Sequence, residues 1–438
     1  MKETPLSALQ QRYWFLCTAY TGDTSPILFL SWRIRGPLDV EVWSRAVSAL
    51  VDRHEILRTG FALRDGVPVQ VARPPSGIET ELIDLSRRPE AEREDEAQRL
   101  LAGRTHTLLD LTGGPLVNSC LIRLADNHHV WCFTMHHLLT DGASLRIVRR
   151  EVRAHYQSIL EGTDPELPEL TLQYGDFAVQ QAGQSLENDL AYWLERLEKV
   201  PPLEMPTDYP RPLEKSTSGG EIFHHMPPEL AAGVTRLSRT ARCTPAMILL
   251  AALQAVLAEW SGQDDFCVGT HVAGRTRTEL EPLVGLFSNT LALRGDLSGD
   301  PPFLELLSRT RGMMIGALKR QGVPFGRVVQ ALGLPRDPGR TQLFQVIFSM
   351  RNDVAARQPQ LGELWIEEFP HDRPKILHDL VVDIWRFDDT GIRTGLRYDT
   401  ALFTSETITA LAQRYERLLS AAVATPSARL AELAASGG

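Results

Sequence analysis

At 438 residues the chain is too long for one ordinary core, and about two domains of roughly 200 residues each are expected. It is 43% hydrophobic and 23% charged, with a formal net charge of −9. That balance excludes a generally basic, nucleic-acid-binding surface and leaves only local basic patches for anionic partners. The opening MKETPLSALQQRYWF has neither a charged n-region nor an apolar h-region, so no signal peptide is expected. No apolar run approaches the ~18 residues needed to span a bilayer, so no membrane association is expected either. Cys17, Cys120, Cys132, Cys243 and Cys267 are scattered and never form CxxC; they read as buried free thiols of a cytoplasmic protein, with no zinc site.

In chain order, LDVEVWSRAVSALVDRHEILRTGF predicts an amphipathic helix, with Val40, Trp43, Val47, Leu50 and Val51 on one side, running into an extended stretch. HHVWCFTMHH alternates as a strand does: Val130, Cys132, Thr134 and His136 face one way, Trp131, Phe133, Met135 and His137 the other. DGASLRIVRREVRAHYQSIL opens a helix for which Ser144 is a candidate N-cap. A domain break is expected near residue 178, giving an N-terminal lobe over 1–178 and a C-terminal lobe over 179–438. Residues 200–220, rich in Pro, Ser and Gly, read as a long irregular connection. PAMILLAALQAVLAEWSG is a strongly apolar helix; DDFCVGTHVAG, LFQVIFSM and LHDLVVDIW are strand candidates; SETITALAQRYERLLSAAVA is a helix with Ser405 as candidate cap. Helices and strands interleave in both halves, so the class is α/β with two lobes.

The stretch TMHHLLTDGAS, residues 134–144, is the candidate site. The histidine doublet alone carries little, since His128-His129 and His224-His225 repeat it without the Asp-Gly that follows here. By alternation His136 and His137 face opposite sides of the strand and do not share one task. A histidine at a strand end is held rigidly, and Gly142, where the chain turns towards the helix, lets a substrate approach the backbone. A neutral imidazole with an ordinary pKa of about 6.5 can take a proton near neutral pH. Asp141 either orients that imidazole or pairs with an arginine and holds the turn. The bland reading, a polar end to an apolar strand, stays open on these residues alone.

MHHLLTDGAS resembles the HHxxxDG motif of nonribosomal peptide synthetase condensation domains, in the chloramphenicol-acetyltransferase-like superfamily. Further family signatures follow in order. LSALQQRYWFL (6–16) resembles S-x-A-Q-x-R plus an aromatic, with Leu9 where alanine is usual. RHEILRTGF (53–61) is close to RHExLRTxF, and YGDFAVQQ (174–181) to Y-x-D-[FY]-A. SGQDDFCVGTHVAGR (261–275), VGLFSNTLALR (284–294) and RDPGRTQLFQVIFSM (336–350) complete the set.

The resemblance implies two chloramphenicol-acetyltransferase-like lobes arranged as a V around a tunnel, and an amide-forming acyltransferase. A donor acyl or peptidyl thioester and an acceptor amine would arrive on the 4'-phosphopantetheine arms of two partner carrier proteins, and the chain would need no cofactor or metal of its own. It would work as a monomer or as part of a larger synthetase. By the motif match His137 is the catalytic histidine; His136, Asp141 and Gly142 support it, with Arg275 as Asp141's partner and Gly142 on the donor arm's path. Asn289 is a candidate for lining the tunnel or for supporting the crossover. RHEILRTGF reads as structural, with Arg53, Glu55 and Arg58 in an ion-pair network; His54, His271 and His378 read as lone, satisfied histidines.

Departures bear on subtype. RQGVPFGR (320–327) places Gly322 and Gly326 where acidic residues are frequent, Ser288 stands where Val is common, and Ala143 is small. These leave open a chain-elongating domain, a starter using a fatty or aryl acyl group, or one forming an ester with an alcohol. There is no adenylation loop and no GGxS carrier site, Gly113-Gly114 being followed by Pro115-Leu116, so substrates are expected from partners. The alternatives are an epimerisation domain, against which RHEILRTGF and LFQVIF weigh, and a silent domain that recruits tailoring enzymes or carriers. A heterocyclisation domain would replace the histidines by aspartate.

Overall fold

A computed structural model describes residues 1–19, 27–105, 110–112, 116–335, 337–350, 359–369 and 376–435. The Gly113-Gly114-Pro115 run and Arg336, at the head of the late motif, lie outside the described residues. The chain forms two compact units. One comprises Met1–Ser185, Ala273–Ser288 and Val354–Asp372; the other comprises Leu186–Val272, Asn289–Asp353 and Arg373–Gly438. Residue 178 falls inside a helix, Tyr174–Ala182, and the division comes after that helix.

The first unit is built on a six-stranded sheet. Its strand order is Gln360–Leu361, Leu364–Glu368, Ile27–Arg35, His128–His136, Val117–Ala125, Thr80–Asp84. Only the last pair is parallel. The central strand His128–His136 carries Trp131, Phe133 and Met135, all fully buried, and pairs with Ile27–Arg35 in the register Trp32↔Trp131. Trp131 packs against Trp32 and Trp43 with ring centroids 5.3 Å away in each case. Such aromatic pairs add about 0.5–1.5 kcal/mol beyond their burial. Trp43 lies on the helix Val40–Arg53, started by Asp39, whose carboxylate accepts from Val42 N–H at 3.0 Å. Its buried side (Val42, Trp43, Ala46, Val47, Leu50, Val51) follows the 3.6-residue period.

The second unit holds another six-stranded sheet, ordered Asn289–Asp296, Asp265–Val272, Val346–Met350, Leu380–Asp388, Gly391–Asp399, Gly219–Met226. Val346–Met350 runs parallel to both neighbours; the other pairs are antiparallel. The helix Pro245–Ser261 is buried continuously from Met247 to Leu257, as a helix apolar all round must be. Among the described residues no single helix is long and apolar enough to cross a membrane.

Four expectations are corrected. Asp141, not Ser144, caps the helix Gly142–Glu161, because the carboxylate reaches the Ser144 N–H at 2.7 Å. Thr404, not Ser405, caps Ser405–Ala424 through the Thr407 N–H. Among the described residues Arg53, Glu55 and Arg58 form no common network: they bond Glu151, Lys2 and the Arg73 carbonyl respectively. Of the free thiols, Cys120, Cys132 and Cys267 are buried, but Cys17 and Cys243 are only half-buried.

Candidate active site

The strand ends one residue earlier than its alternation suggests. His136 is its last member, and His137–Leu139 form a single tight turn before Asp141. The cause is a side chain competing with the ladder: His136 Nδ1 accepts the Leu138 N–H at 3.1 Å and bends the chain. With that lone pair used, the neutral ring carries its proton on Nε2, which lies 3.9 Å from Cys17 Sγ. Burial pushes the His136 pKa down to about 4. His136 is thus a neutral, enclosed ring that shapes the turn.

His137 differs. It is half-buried; its Nδ1 is enclosed and makes no hydrogen bond among the described residues, while Nε2 lies 3.4 Å from Tyr13 Oη. The two rings are 4.7 Å apart between centroids, inclined at 32°. Burial lowers the His137 pKa; the backbone at His137 and Thr140 and the charge of Asp141 oppose that shift without cancelling it. At neutral pH the imidazole is therefore uncharged. Among the described residues, Nε2 is thus the ring nitrogen that meets another side chain, Tyr13 Oη.

Asp141 does not orient that ring. Its carboxylate, fully buried, accepts from Arg275 Nη1 at 3.0 Å and Nη2 at 3.3 Å, from the Ser144 N–H and hydroxyl, and from the N–H groups of Phe287 and Ser288 at 3.0 and 2.9 Å. Burial alone would raise its pKa, but the Arg275 charge and these donors hold it below the usual carboxylate range. Arg275 also donates to the carbonyls of Ala273 and Leu283 and lies over the Phe287 ring, 4.4 Å from its centroid. The pair therefore ties the segment 273–288 to the start of the helix Gly142–Glu161. Ser144 reinforces it by accepting the Gly285 N–H at 3.0 Å, and Tyr174 by donating to the Leu286 carbonyl at 2.8 Å. Ser7 touches the same Tyr174 hydroxyl at 2.8 Å. His54 is a satisfied histidine, as expected: Nδ1 receives the Val284 N–H at 3.5 Å and Nε2 meets the buried Glu151 at 2.8 Å.

Glycines here divide by cause. Gly274 has φ +64°, and a Cβ there would lie 2.0 Å from the Phe287 carbonyl, so packing demands glycine. Gly142 is exposed and opens its helix without a positive φ, and among the described residues a Cβ there would meet nothing within 4 Å. The turn expected at Gly142 is thus made without its conformational freedom. Beside Gly142, Ala143 borders a cleft of about 690 Å³ in the same unit, lined also by Arg146, Ile147, Arg150, Arg275 and Glu279.

Asn289, in the second unit, has its amide fully engaged: Nδ2 donates to the carbonyls of Gln321 and Val323, and Oδ1 accepts from Thr290 and Phe325 N–H. It pins the RQGVPFGR loop to its strand. Sequence reasoning did not single out Tyr13, Ser144's bridging role or Tyr174. Ser7, Tyr13 and Tyr174 stand inside two of the quoted motifs, and that was the available signal. For Tyr13 no spacing rule links positions 13 and 137.

A family model described as Condensation domain matches residues 1–436. A linear gramicidin synthase of Brevibacillus parabrevis is 39% identical over 436 residues, 98% of this chain and 8% of that protein. Phosphinothricin tripeptide synthetase PhsB of Streptomyces viridochromogenes is 36% identical over 96% of this chain and 36% of its own length. The chain therefore spans only a small part of such relatives. Among solved structures, the X-domain from teicoplanin biosynthesis superposes with a TM-score of 0.84 at 26% identity, covering 98% of this chain and 97% of that one. The SgcC5 protein from Streptomyces globisporus gives 0.74 at 27% identity, over 97% and 100%. The fold is thus of the chloramphenicol-acetyltransferase-like class. Within that class the chain belongs to the condensation-domain family of nonribosomal peptide synthetases.

Proposed function

We propose that the chain is an amide-forming acyltransferase. It joins an acyl or peptidyl group, held as a thioester on the phosphopantetheine of a donor carrier protein, to the amine of an acceptor on a second carrier. The amine nitrogen attacks the thioester carbonyl, the C–S bond breaks, and the proton lost by nitrogen passes through His137 to the departing thiolate. His137 Nε2 positions the amine and receives its proton; His136 and the Asp141–Arg275 pair hold the turn that presents it; Gly142 leaves room for the donor arm. An alcohol acceptor would follow the same course to an ester.

The observation that carries this reading is His137 itself. It is an uncharged imidazole with one enclosed nitrogen and one that meets a hydroxyl, Tyr13 Oη, on a turn anchored by a buried ion pair. A neutral base suits the chemistry, because a thioester is already activated and an α-amine of pKa about 8 is partly neutral at pH 7. Holding both reactants together could lower the barrier by as much as ~7–11 kcal/mol, leaving His137 a smaller share. Gly142 is compatible with this reading: among the described residues nothing crowds the position, which leaves room beside the turn.

A second reading, recruitment of a tailoring enzyme, is favoured by one observation. The teicoplanin X-domain that superposes at 0.84 is also known in complex with OxyB. The test is to mix the chain with a donor carrier bearing an acyl thioester and an acceptor carrier bearing an aminoacyl thioester, and weigh both intact carriers. Condensation moves the acyl mass onto the acceptor; a recruitment domain leaves both masses unchanged above the background without protein.

A further inference from the structure

Outside the motif, the side chain that meets His137 Nε2 is Tyr13, on the helix Ala8–Ala19. The phenol stays a donor throughout the neutral range, because burial raises its pKa. His137 Nδ1, enclosed and without a hydrogen bond among the described residues, cannot reach a reactant, so a ring able to take a proton must do so at Nε2 with its resident proton on Nδ1. In that tautomer the Nε2 lone pair is available to the Tyr13 hydroxyl at 3.4 Å, and the two rings pack against each other 4.7 Å apart, tilted by 32°. Neither neighbouring motif side chain fixes the tautomer, since Asp141 bonds elsewhere and His136 Nδ1 is spent on Leu138, while the backbone at His137 and Thr140 favours a proton on the ring.

We propose that Tyr13 is a positioning residue for His137: its hydroxyl donates to Nε2 in the resting site, selects the Nδ1–H tautomer, and yields to the incoming amine. The inference rests on the condensation reading for its catalytic consequence, but not for the contact itself. The contact is a long hydrogen bond, so the expected effect is that of one modest bond.

The test is Tyr13→Phe in the full chain, which keeps the ring and its packing. Histidine-selective labelling, with His137→Gln to assign the signal, follows the His137 titration by NMR. Without the donor to its neutral form, the His137 midpoint rises by about 0.3–1 pH unit, and kcat falls about 2- to 10-fold with KM little changed. The acid limb of the rate profile moves up by the same interval as the titration. An unchanged His137 titration in a folded Tyr13→Phe protein overturns the proposal. If that titration shifts while the unaltered chain transfers no acyl group, the contact stands and the condensation reading falls. Should Tyr13→Phe not fold, 3-fluorotyrosine at position 13 serves instead: its more acidic phenol strengthens the bond and must move the His137 midpoint down, and no movement overturns the proposal equally.

Discussion

Arg275→Met is the most informative structural perturbation. Methionine keeps much of the side chain's volume but deletes a cation only 6% exposed that faces a carboxylate with no exposure. Breaking a buried pair from one side typically costs about 3–5 kcal/mol, because the remaining charge is stranded. Asp141 would retain four other donors, from Ser144 N–H, Ser144 hydroxyl, Phe287 N–H and Ser288 N–H, which places the cost near the lower end, about 3 kcal/mol. An exposed helical pair such as Glu305–Arg309 is worth about 0.3–0.5 kcal/mol, so it serves as a control. Urea unfolding followed by tryptophan fluorescence reads the difference. With a slope of about 2–3 kcal/mol per molar urea, the midpoint of the transition reporting Trp32, Trp43 and Trp131 falls by about 1–1.5 M. Asp141 and Arg275 both lie in the unit that holds these tryptophans, so the transition they report is the one expected to move. The pH dependence has a definite sign. Asp141's folded pKa lies below its ordinary value, so its contribution is complete above about pH 3.9 and is lost as pH falls through the folded pKa. In Arg275→Met, burial acts with less opposition, the Asp141 pKa rises, and acid unfolding begins at higher pH. A midpoint equal to the control's at neutral pH, with an unmoved acid limb, would refute the assignment of Asp141–Arg275 as the anchor of segment 273–288.

Two further outcomes separate site from scaffold. Gly142→Ala should leave stability unchanged or raise it by up to about 1 kcal/mol, since nothing obstructs the new methyl and glycine is a poor helix residue. The same variant should lower the rate with a carrier-bound donor more than with a short soluble thioester; equal rates would remove Gly142 from the donor's path. The His137 pKa is lowered by burial, so the active neutral form persists below pH 6.5 and the rate declines only as pH falls through that lowered value. A weakly basic amine acceptor exposes this limb in a pH–rate profile, and a limb above pH 6.5 would contradict it.

The sequence was most legible where one periodicity ruled. Val40–Arg53 and Pro245–Ser261 follow from apolar spacing, and His128–His136 from alternation. It was least legible where a side chain competes with backbone. His136 Nδ1 ends the strand before His137, so the two rings differ through a turn and not through opposite faces of a pleat. Cap positions shifted by one or three residues because Thr404 and Ser405, or Asp141 and Ser144, are all good capping types and only geometry chooses. The strand Leu364–Glu368 pairs with Ile27–Arg35, far away in the chain, and no local rule announces such a partner. Arg275 could be reached only through the family resemblance, and Tyr13 stands in the quoted run LSALQQRYWFL with nothing local to link it to His137.

The central claim is that His137 assists acyl transfer between two carriers. Its most direct test is a single-turnover comparison of the unaltered chain with His137→Ala, donor and acceptor carriers in excess over dissociation, and transfer timed by intact-carrier mass. Transfer by the unaltered chain is expected, with a loss of about 10²–10⁴-fold in the variant, which keeps its fold and its grip on both carriers. Equal rates in the two proteins, or no transfer by the unaltered one, would contradict it.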